Sequence, residues 1–428
     1  TLTYGELKLK MDDFSLNYSY LKGKRCAIST DSRVSLAIYL PCVESLSSLI
    51  FLQPKDCTDS DLCDFYLKSN IEYRVVICND EIIVESLVDT QGEMKSDDSS
   101  HWLLATSGTS GTPKLALYTL KSLLSSSIKD LSKGKDYIWG VCYDLNRFSG
   151  LQVYFQALSS GSCLVIHTSN DLFSETIKFY LNCSVNALSA TPSYWRKLLM
   201  TPISKELNLK VISLGGEISD QPILDGLSSV FRDAKIVHIY ASTEAGVGFS
   251  VKDNLEGFPL AYIESQSSDL TLKIIENELW IRSNRGASAL LKEGLNMDID
   301  GYINSGDLVE VIGDRVLFRG RSSGTINVGG NKVIPEEVER VLNSLKFVAS
   351  SKVSSQKSAF LGALVVAEIV LNTDNLPSQL SSAEIKKLAS THCRNKLESF
   401  KVPAVIKIVE SIDIGVTGKM LRNNLRNL

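Results

Sequence analysis

No apolar run in this sequence approaches the roughly 20 residues needed to cross a lipid bilayer. The best stretch, Leu46–Leu52, is interrupted by Ser47 and Ser48 and stops at Gln53, so no membrane span is expected. An excess of one charge is also lacking. The 45 basic and 49 acidic residues leave a net charge of −4, with no basic field to neutralise a nucleic-acid backbone. With 27 glycines and 10 prolines in 428 residues, collagen-like and low-complexity chains are excluded. The opening Thr1-Leu2-Thr3-Tyr4-Gly5-Glu6 has no basic stretch followed by an apolar one, the pattern of a secretory leader. The absence of a starting Met suggests trimming. The nine cysteines are scattered and odd in number, and several lie in apolar contexts such as Val75-Val76-Ile77-Cys78. That usage predicts free thiols in a reducing, cytoplasmic compartment. Cys57 and Cys63 have no partner pair at zinc-finger spacing, so no metal is expected there.

What is present is an ordinary globular composition, 44% hydrophobic and 22% charged, at a length that suggests about three domains or large subdomains. Cys163–His167, Val211–Leu214 and Lys235–Tyr240 read as buried strands. Between the last two, Ile223, Leu224, Leu227, Val230 and Phe231 recur at helical spacing and predict a helix over Gln221–Phe231. Strand, helix and strand in this order predict a parallel sheet with crossover helices. Ligands of such sheets gather beyond the carboxyl ends of the strands, where Gly215-Gly216-Glu217 and Ser242-Thr243-Glu244 fall. From about Leu270 the texture turns to short strands and tight turns. After Gly320-Arg321-Ser322-Ser323-Gly324, which reads as a linker, a helix from Pro335, a strand over Gly362–Val370, a helix over Ala383–Leu397 and a strand over Ala404–Val409 predict a small α+β domain.

The densest chemical signal is Thr106-Ser107-Gly108-Thr109-Ser110-Gly111-Thr112-Pro113-Lys114, directly after the apolar run Trp102–Ala105. Hydroxyls and glycines at this density let backbone N–H and side-chain O–H groups turn toward a polyphosphate, and Lys114 adds a positive charge. The Gly-Lys-Ser/Thr ending of a Walker loop is missing. Taken alone, the segment also fits a flexible linker. Gly215–Glu217 alone also fits a tight turn, Asp307 a turn aspartate and Lys419 a solvated tail lysine.

Residues 106–114 resemble the phosphate-loop signature of the adenylate-forming superfamily, which includes acyl-CoA synthetases, adenylation domains of nonribosomal peptide synthetases and firefly luciferase. Every position of the pattern is met, an agreement expected by chance at roughly one in a billion per start position. Further segments resemble the family's other motifs, in order and to the end of the chain. The resemblance implies that Gly215, Gly216 and Glu217 lie against adenine. In Tyr240-Ala241-Ser242-Thr243-Glu244 it implies an aromatic packed on adenine, a Thr on the α-phosphate and a Glu helping to hold magnesium, with Ala241 in place of the usual Gly. Asp307 of Ser305-Gly306-Asp307 would accept the ribose hydroxyls, with Arg321 near that ribose. Residues 320–323 would form a hinge, although Ser323 stands where the family has Asp or Lys. Gly329 and Gly330 would line a pantetheine tunnel. Lys419 of Thr417-Gly418-Lys419 would enter the active site for adenylation.

The implied fold is α/β. A large amino-terminal domain (1–319) would combine parallel-sheet subdomains with a β-rich one, and a small mobile α+β domain (324–428) would follow the hinge at 320–323. The stretch before residue 106 is short for this family and implies a trimmed amino-terminal subdomain. The implied activity is ATP-dependent conversion of a carboxylic acid to an acyl-adenylate, then transfer to a thiol. That thiol would be CoA or the phosphopantetheine arm of an acyl carrier protein. Thr243, Glu244 and Lys419 would be catalytic. The acid pocket falls near Tyr143–Gln152. Anchoring on Gly150-Leu151 puts Arg147 where many of these ligases carry a His, and Phe148 where amino-acid-activating domains carry an Asp, which disfavours an α-amino acid. Arg147 would meet a carboxylate or phosphate, or would be a surface arginine. A catalytically silent nucleotide-binding relative is a further reading, against which Glu244, Asp307 and Lys419 speak.

Overall fold

The computed structural model describes residues 1–87, 100–106, 114–168, 172–242, 246–265, 269–284, 297–358, 362–372, 375–376, 380–415 and 419–420. It divides into two compact units. One comprises Thr1–Leu188, Ala241–Gly248 and Ser283–Asn296, the other Ser189–Tyr240, Phe249–Arg282 and Met297–Leu428.

In the first unit, β1 (Arg25–Ser29), β2 (Leu49–Leu52), β3 (Tyr73–Cys78), β4 (Glu81–Ser86), β5 (His101–Thr106) and β6 (Lys114–Thr119) form one sheet in the order β4-β3-β1-β2-β5-β6. The central pairs β1–β3, β1–β2 and β2–β5 are parallel, while the outer pairs β3–β4 and β5–β6 are antiparallel hairpins. The strands are short and apolar because helices cover them, as a parallel sheet requires. Helix Arg33–Glu44 is capped by Ser32, and helix Asp59–Lys68 opens with a capping box from Thr58 and Asp61. Their apolar sides join a core around Leu40, Ile50, Trp102, Leu151 and Tyr154 and another around Phe51 and Phe65. A further parallel pair, β7 (Ile138–Val141) and β8 (Cys163–Val165), brackets helix Phe148–Ser160.

Strand β9 (Ala187–Ala190) spans the boundary between the units. In the second unit, β10 (Val211–Gly215) and the Lys235–Tyr240 part of β11 (Lys235–Ser242) run parallel in the register Leu214↔His238 and Gly215↔Ile239, linked by helix Gln221–Val230. The strand–helix–strand reading of this segment is thus borne out. β12 (Gly246–Val251) follows. The β-rich part comprises β13 (Phe258–Pro259), β14 (Leu270–Ile275), β15 (Glu278–Ser283), β16 (Ile303–Ile312) and β17 (Arg315–Arg321), ordered β13-β17-β16-β15-β14. The hairpin β18 (Ile326–Val328) and β19 (Asn331–Val333) comes next, and then β20 (Val348–Ser358), β21 (Gly362–Leu371) and β22 (Val405–Val409) in one sheet. Helices Pro335–Asn343 and Ser382–Lys396 share the core of that last sheet through Val338, Leu342, Ile385 and Ala389.

Gly320 belongs to β17, and Ser322–Gly324 form a short 3-10 turn after it. Gly320 has φ +142°, and a Cβ there would lie 2.4 Å from Ile334 Cγ2 and 2.5 Å from Glu336 Oε2. No neighbour could absorb such an overlap without moving. Gly324 has nothing within 4 Å of its would-be Cβ. Gly320→Ala is therefore expected to lower stability by about 2 kcal/mol or more, while Gly324→Ala changes it by less than about 0.5 kcal/mol. Urea unfolding of both variants checks this, and equal midpoints would refute it.

Candidate active site

The glycine- and hydroxyl-rich segment is the connection of the β5–β6 hairpin. Thr106 pairs with Lys114 across the two strands, so both ends of the motif are held together. The strands that hold it are buried through Trp102, Leu103, Leu104, Ala116 and Tyr118. Ser107, Gly108, Thr109, Ser110 and Gly111 lie outside the described residues, as do Thr243 and Glu244.

Arg147 stands at the amino end of helix Phe148–Ser160. Its Nη1 donates to the Ala105 carbonyl at the end of β5 at 2.9 Å, and its Nη2 pairs with Asp56. Gly150 is buried, and a Cβ on it would sit 2.1 Å from the Asp144 carbonyl oxygen. Only glycine lets this helix start so close to residues 144–145. Asp144 in turn pairs with Arg33 at 2.7 Å.

In the second unit two groups of candidate residues come together. The first surrounds Asp307. Antiparallel register places Asp307 of β16 opposite Arg321 of β17, and Arg321 Nε donates to Asp307 Oδ1 at 2.9 Å. The Tyr240 hydroxyl donates to Oδ2 at 2.6 Å. Burial first, then the Asp307 carboxylate, pushes the Tyr240 phenol well above its ordinary value, which fixes it as a donor. The Tyr240 ring stacks on Phe249 and Phe318, each with its centroid 5.2 Å away. A nearly buried carboxylate is thereby held in one orientation, with both oxygens engaged, at the end of β11.

The second group is built on the turn after β10. Gly216 has φ +83°, and a Cβ there would come within 3.3 Å of Lys419 Cε. Glu217 Oε2 accepts the Ser193 N–H at 2.9 Å, and Oε1 accepts the Met420 N–H at 2.7 Å. The tail lysine thus stands over the glycine turn, 203 residues away in sequence by the Glu217–Met420 contact. The register Gly215↔Ile239 puts this turn beside the residue preceding Tyr240, so both groups lie at one end of the β10–β11 pair.

Gly329 and Gly330 have φ +58° and +91° and form the turn of the β18–β19 hairpin. Two positive φ values in a two-residue connection match the twist of the flanking strands. Asn327 Oδ1 accepts the Gly330 N–H at 2.9 Å.

Sequence reading did not name Ser193, Phe249 or Phe318. Thr191-Pro192, a helix-opening pair, is a local signal for the first, and Thr191 does cap the helix Pro192–Leu199. Isolated phenylalanines carry no such signal. Among the described residues, no cluster of three or more His, Cys, Asp or Glu could hold a metal.

A family profile described as AMP-binding enzyme matches residues 15–278. The chain is 25% identical over 341 residues to a 2-succinylbenzoate–CoA ligase of Listeria innocua, covering 76% of this chain and 69% of that one. A shorter stretch of 128 residues is 34% identical to the fatty acid–[acyl-carrier-protein] ligase MmaC of Mycobacterium marinum, covering 30% of this chain and 24% of that one. Among solved structures, the o-succinylbenzoate CoA synthetase MenE of Bacillus subtilis, in complex with its acyl-adenylate intermediate, superposes with a TM-score of 0.72 at 20% identity. That match covers 100% of this chain and 94% of the other. It bears out the α/β fold with parallel-sheet subdomains and a β-rich part.

Tyr240→Phe deletes one bond to Asp307 while keeping the stacked ring. A hydrogen bond to a charged group is worth roughly 1.5–3 kcal/mol, so the variant should lose about that much stability, which urea unfolding measures. Because the folded-state phenol value is raised, its contribution to stability is full below about pH 10 and is lost as pH rises beyond that. Phenolate absorbance at 295 nm should show that Tyr240 does not ionise before alkaline unfolding, and an unchanged titration curve in Tyr240→Phe during unfolding would contradict it.

Proposed function

The chain belongs to the AMP-binding enzyme family, and we propose that it activates a carboxylic acid with ATP and then joins the acyl group to a thiol, with CoA as the favoured acceptor. The observation that carries this reading is the approach of Lys419 to the Gly215-Gly216-Glu217 turn, beside the Tyr240–Asp307–Arg321 group. In the first step a carboxylate oxygen attacks the α-phosphorus. The bond from that phosphorus to the bridging oxygen breaks, and pyrophosphate leaves with the electron pair. Two anions must approach each other, so catalysis depends on positioning and on neutralising charge. Lys419 supplies a cation at the reacting phosphate, and residues Thr106–Lys114 supply donors to the triphosphate. Asp307 accepts from the ribose hydroxyls while Tyr240 and Arg321 keep it oriented, and Gly215–Glu217 line the adenine. Magnesium, which favours carboxylate and phosphate oxygens, would be held by Glu244 and would neutralise phosphate charge when bound.

In the second step a thiolate attacks the acyl carbon and AMP departs. For this the small domain (324–428) turns about residues 320–323, withdrawing Lys419 and presenting Gly329 and Gly330 to the thiol-bearing arm. Two glycines in a tight hairpin turn leave room for such an arm against backbone. The similarity to MmaC supports a second reading, in which the acceptor is a carrier-protein phosphopantetheine. Arg147 and Gly150 are proposed to border the acid. The cysteines are free, which supports a reducing cytoplasm as the site of action. Among the described residues, no helix is long and apolar enough to cross a membrane.

ATP–pyrophosphate exchange across a panel of aryl and alkyl carboxylic acids tests the first step, and absence of exchange with every acid would sink the proposal. Supplying CoA against a phosphopantetheinylated carrier separates the two acceptors. Lys419→Ala is expected to slow exchange by about 10²–10³-fold, or roughly 3–4 kcal/mol. It should retain most of the thioester formation from a supplied acyl-adenylate. Equal loss in both half-reactions would rule out the turning of the small domain.

A further inference from the structure

We propose that Glu217 is a positioning residue that docks the carboxyl-terminal tail, gripping a backbone N–H and so setting Lys419 for the adenylation step. This rests on the role proposed for Lys419 and assigns the Glu217 carboxylate a task in addition to lining the adenine.

The geometry is a two-sided clamp. Glu217 Oε2 accepts from Ser193 N, in the first turn of helix Pro192–Leu199. That N–H has no partner within the helix, and a carboxylate is favoured at a helix amino end. One oxygen is therefore anchored to a rigid element capped by Thr191. The other oxygen, Oε1, accepts from Met420 N at 2.7 Å. The tail is itself closed into a loop, since Ile414 bridges Met420 and Gly415 N donates to Lys419 O at 2.8 Å. Fixing the amide of residue 420 thus fixes the preceding residue. Gly216 completes the seat, because its missing side chain leaves the space that Lys419 Cε approaches.

The grip falls on backbone, so the side chain at position 420 should matter little and its N–H should matter greatly. Proline lacks that N–H. Met420→Pro should slow ATP–pyrophosphate exchange by about 10- to 100-fold, the range for losing a bond to a charged acceptor, whereas Met420→Ala should change it less than 3-fold. Glu217→Gln, which presents an amide N–H₂ to one of two N–H donors, should also lose about 10- to 100-fold. The Glu217→Gln, Met420→Pro double variant should be no slower than the worse single one, since each breaks the same Ser193–Glu217–Met420 clamp. In each impaired variant exchange should fall by a larger factor than thioester formation from supplied acyl-adenylate.

Additive losses, equal losses in both half-reactions, or Met420→Ala as damaging as Met420→Pro would each overturn the proposal. A direct readout does not depend on the chemistry. At the Met420 amide of the peptide spanning residues 414–420, hydrogen exchange should be slow in the unmodified protein and fast in Glu217→Gln, with the remainder of the chain unchanged. Unchanged protection would refute the clamp. If the unmodified protein exchanges pyrophosphate with no acid, the reading of the function fails, and the peptide's protection still decides the role of Glu217.

Discussion

The parallel pairing of β10 with β11 is the constraint on which the site in the second unit depends. Its register sets Gly215 beside Ile239. The turn Gly216-Glu217 and the ring of Tyr240 therefore emerge at the same end of the sheet. A slip by one residue would send Tyr240 to the opposite face and separate it from Asp307. The register is protected by burial of Ile212, Leu214 and Ile236 and by helix Gln221–Val230, whose Ile223, Leu224 and Leu227 are buried. A strand displaced from this packing would expose several apolar side chains, at roughly 1.5–3 kcal/mol each.

Charged groups near this pairing are placed with their partners already assigned. Asp307 is held by Tyr240 and Arg321, Glu217 by two backbone N–H groups, and Asp220 by Arg196 at 2.5 Å while it also caps helix Gln221–Val230. Removing water from a carboxylate is costly unless donors replace it. Each of these carboxylates therefore has a single orientation that satisfies it, and a single orientation is what a binding site needs before its ligand arrives. The same logic explains the stacking of Phe249 and Phe318 on Tyr240. Their rings fix the phenol so that its hydroxyl meets one carboxylate oxygen.

Where hydrophobic period and turn residues agreed, the elements were legible. Helix Gln221–Val230, the strands from Leu270 onward, helix Pro335–Asn343 and strand β21 all follow from spacing and punctuation. β20 did not, although it pairs with β21 along its length. Its sequence, Val348-Ala-Ser-Ser-Lys-Val-Ser-Ser-Gln-Lys-Ser358, is too polar to announce a strand. Ser350, Ser351 and Lys352 are nevertheless buried, and Lys352 faces Glu368 across the ladder at 3.2 Å. Cross-strand pairing of this kind satisfies polar groups only after the partner strand is in place. Arg321 read as part of a linker for a similar reason. Its strand character comes from hydrogen bonds to β16 rather than from its neighbours in the chain.

By itself, the sequence determined the residue types and their order: a hydroxyl- and glycine-rich connection, a glycine turn after an apolar strand, an aspartate in a β-rich stretch and a lysine near the carboxyl end. These identify an AMP-binding enzyme because they are local and composed of unusual residues. Tertiary structure decided which of them meet. The contact of Glu217 with the Met420 amide joins positions far apart in the chain through a backbone N–H that every non-proline residue carries, so no side-chain pattern could encode it. The orientation of Asp307 likewise arises from strand register and from a phenol on another sheet, both of which exist only once the chain has folded.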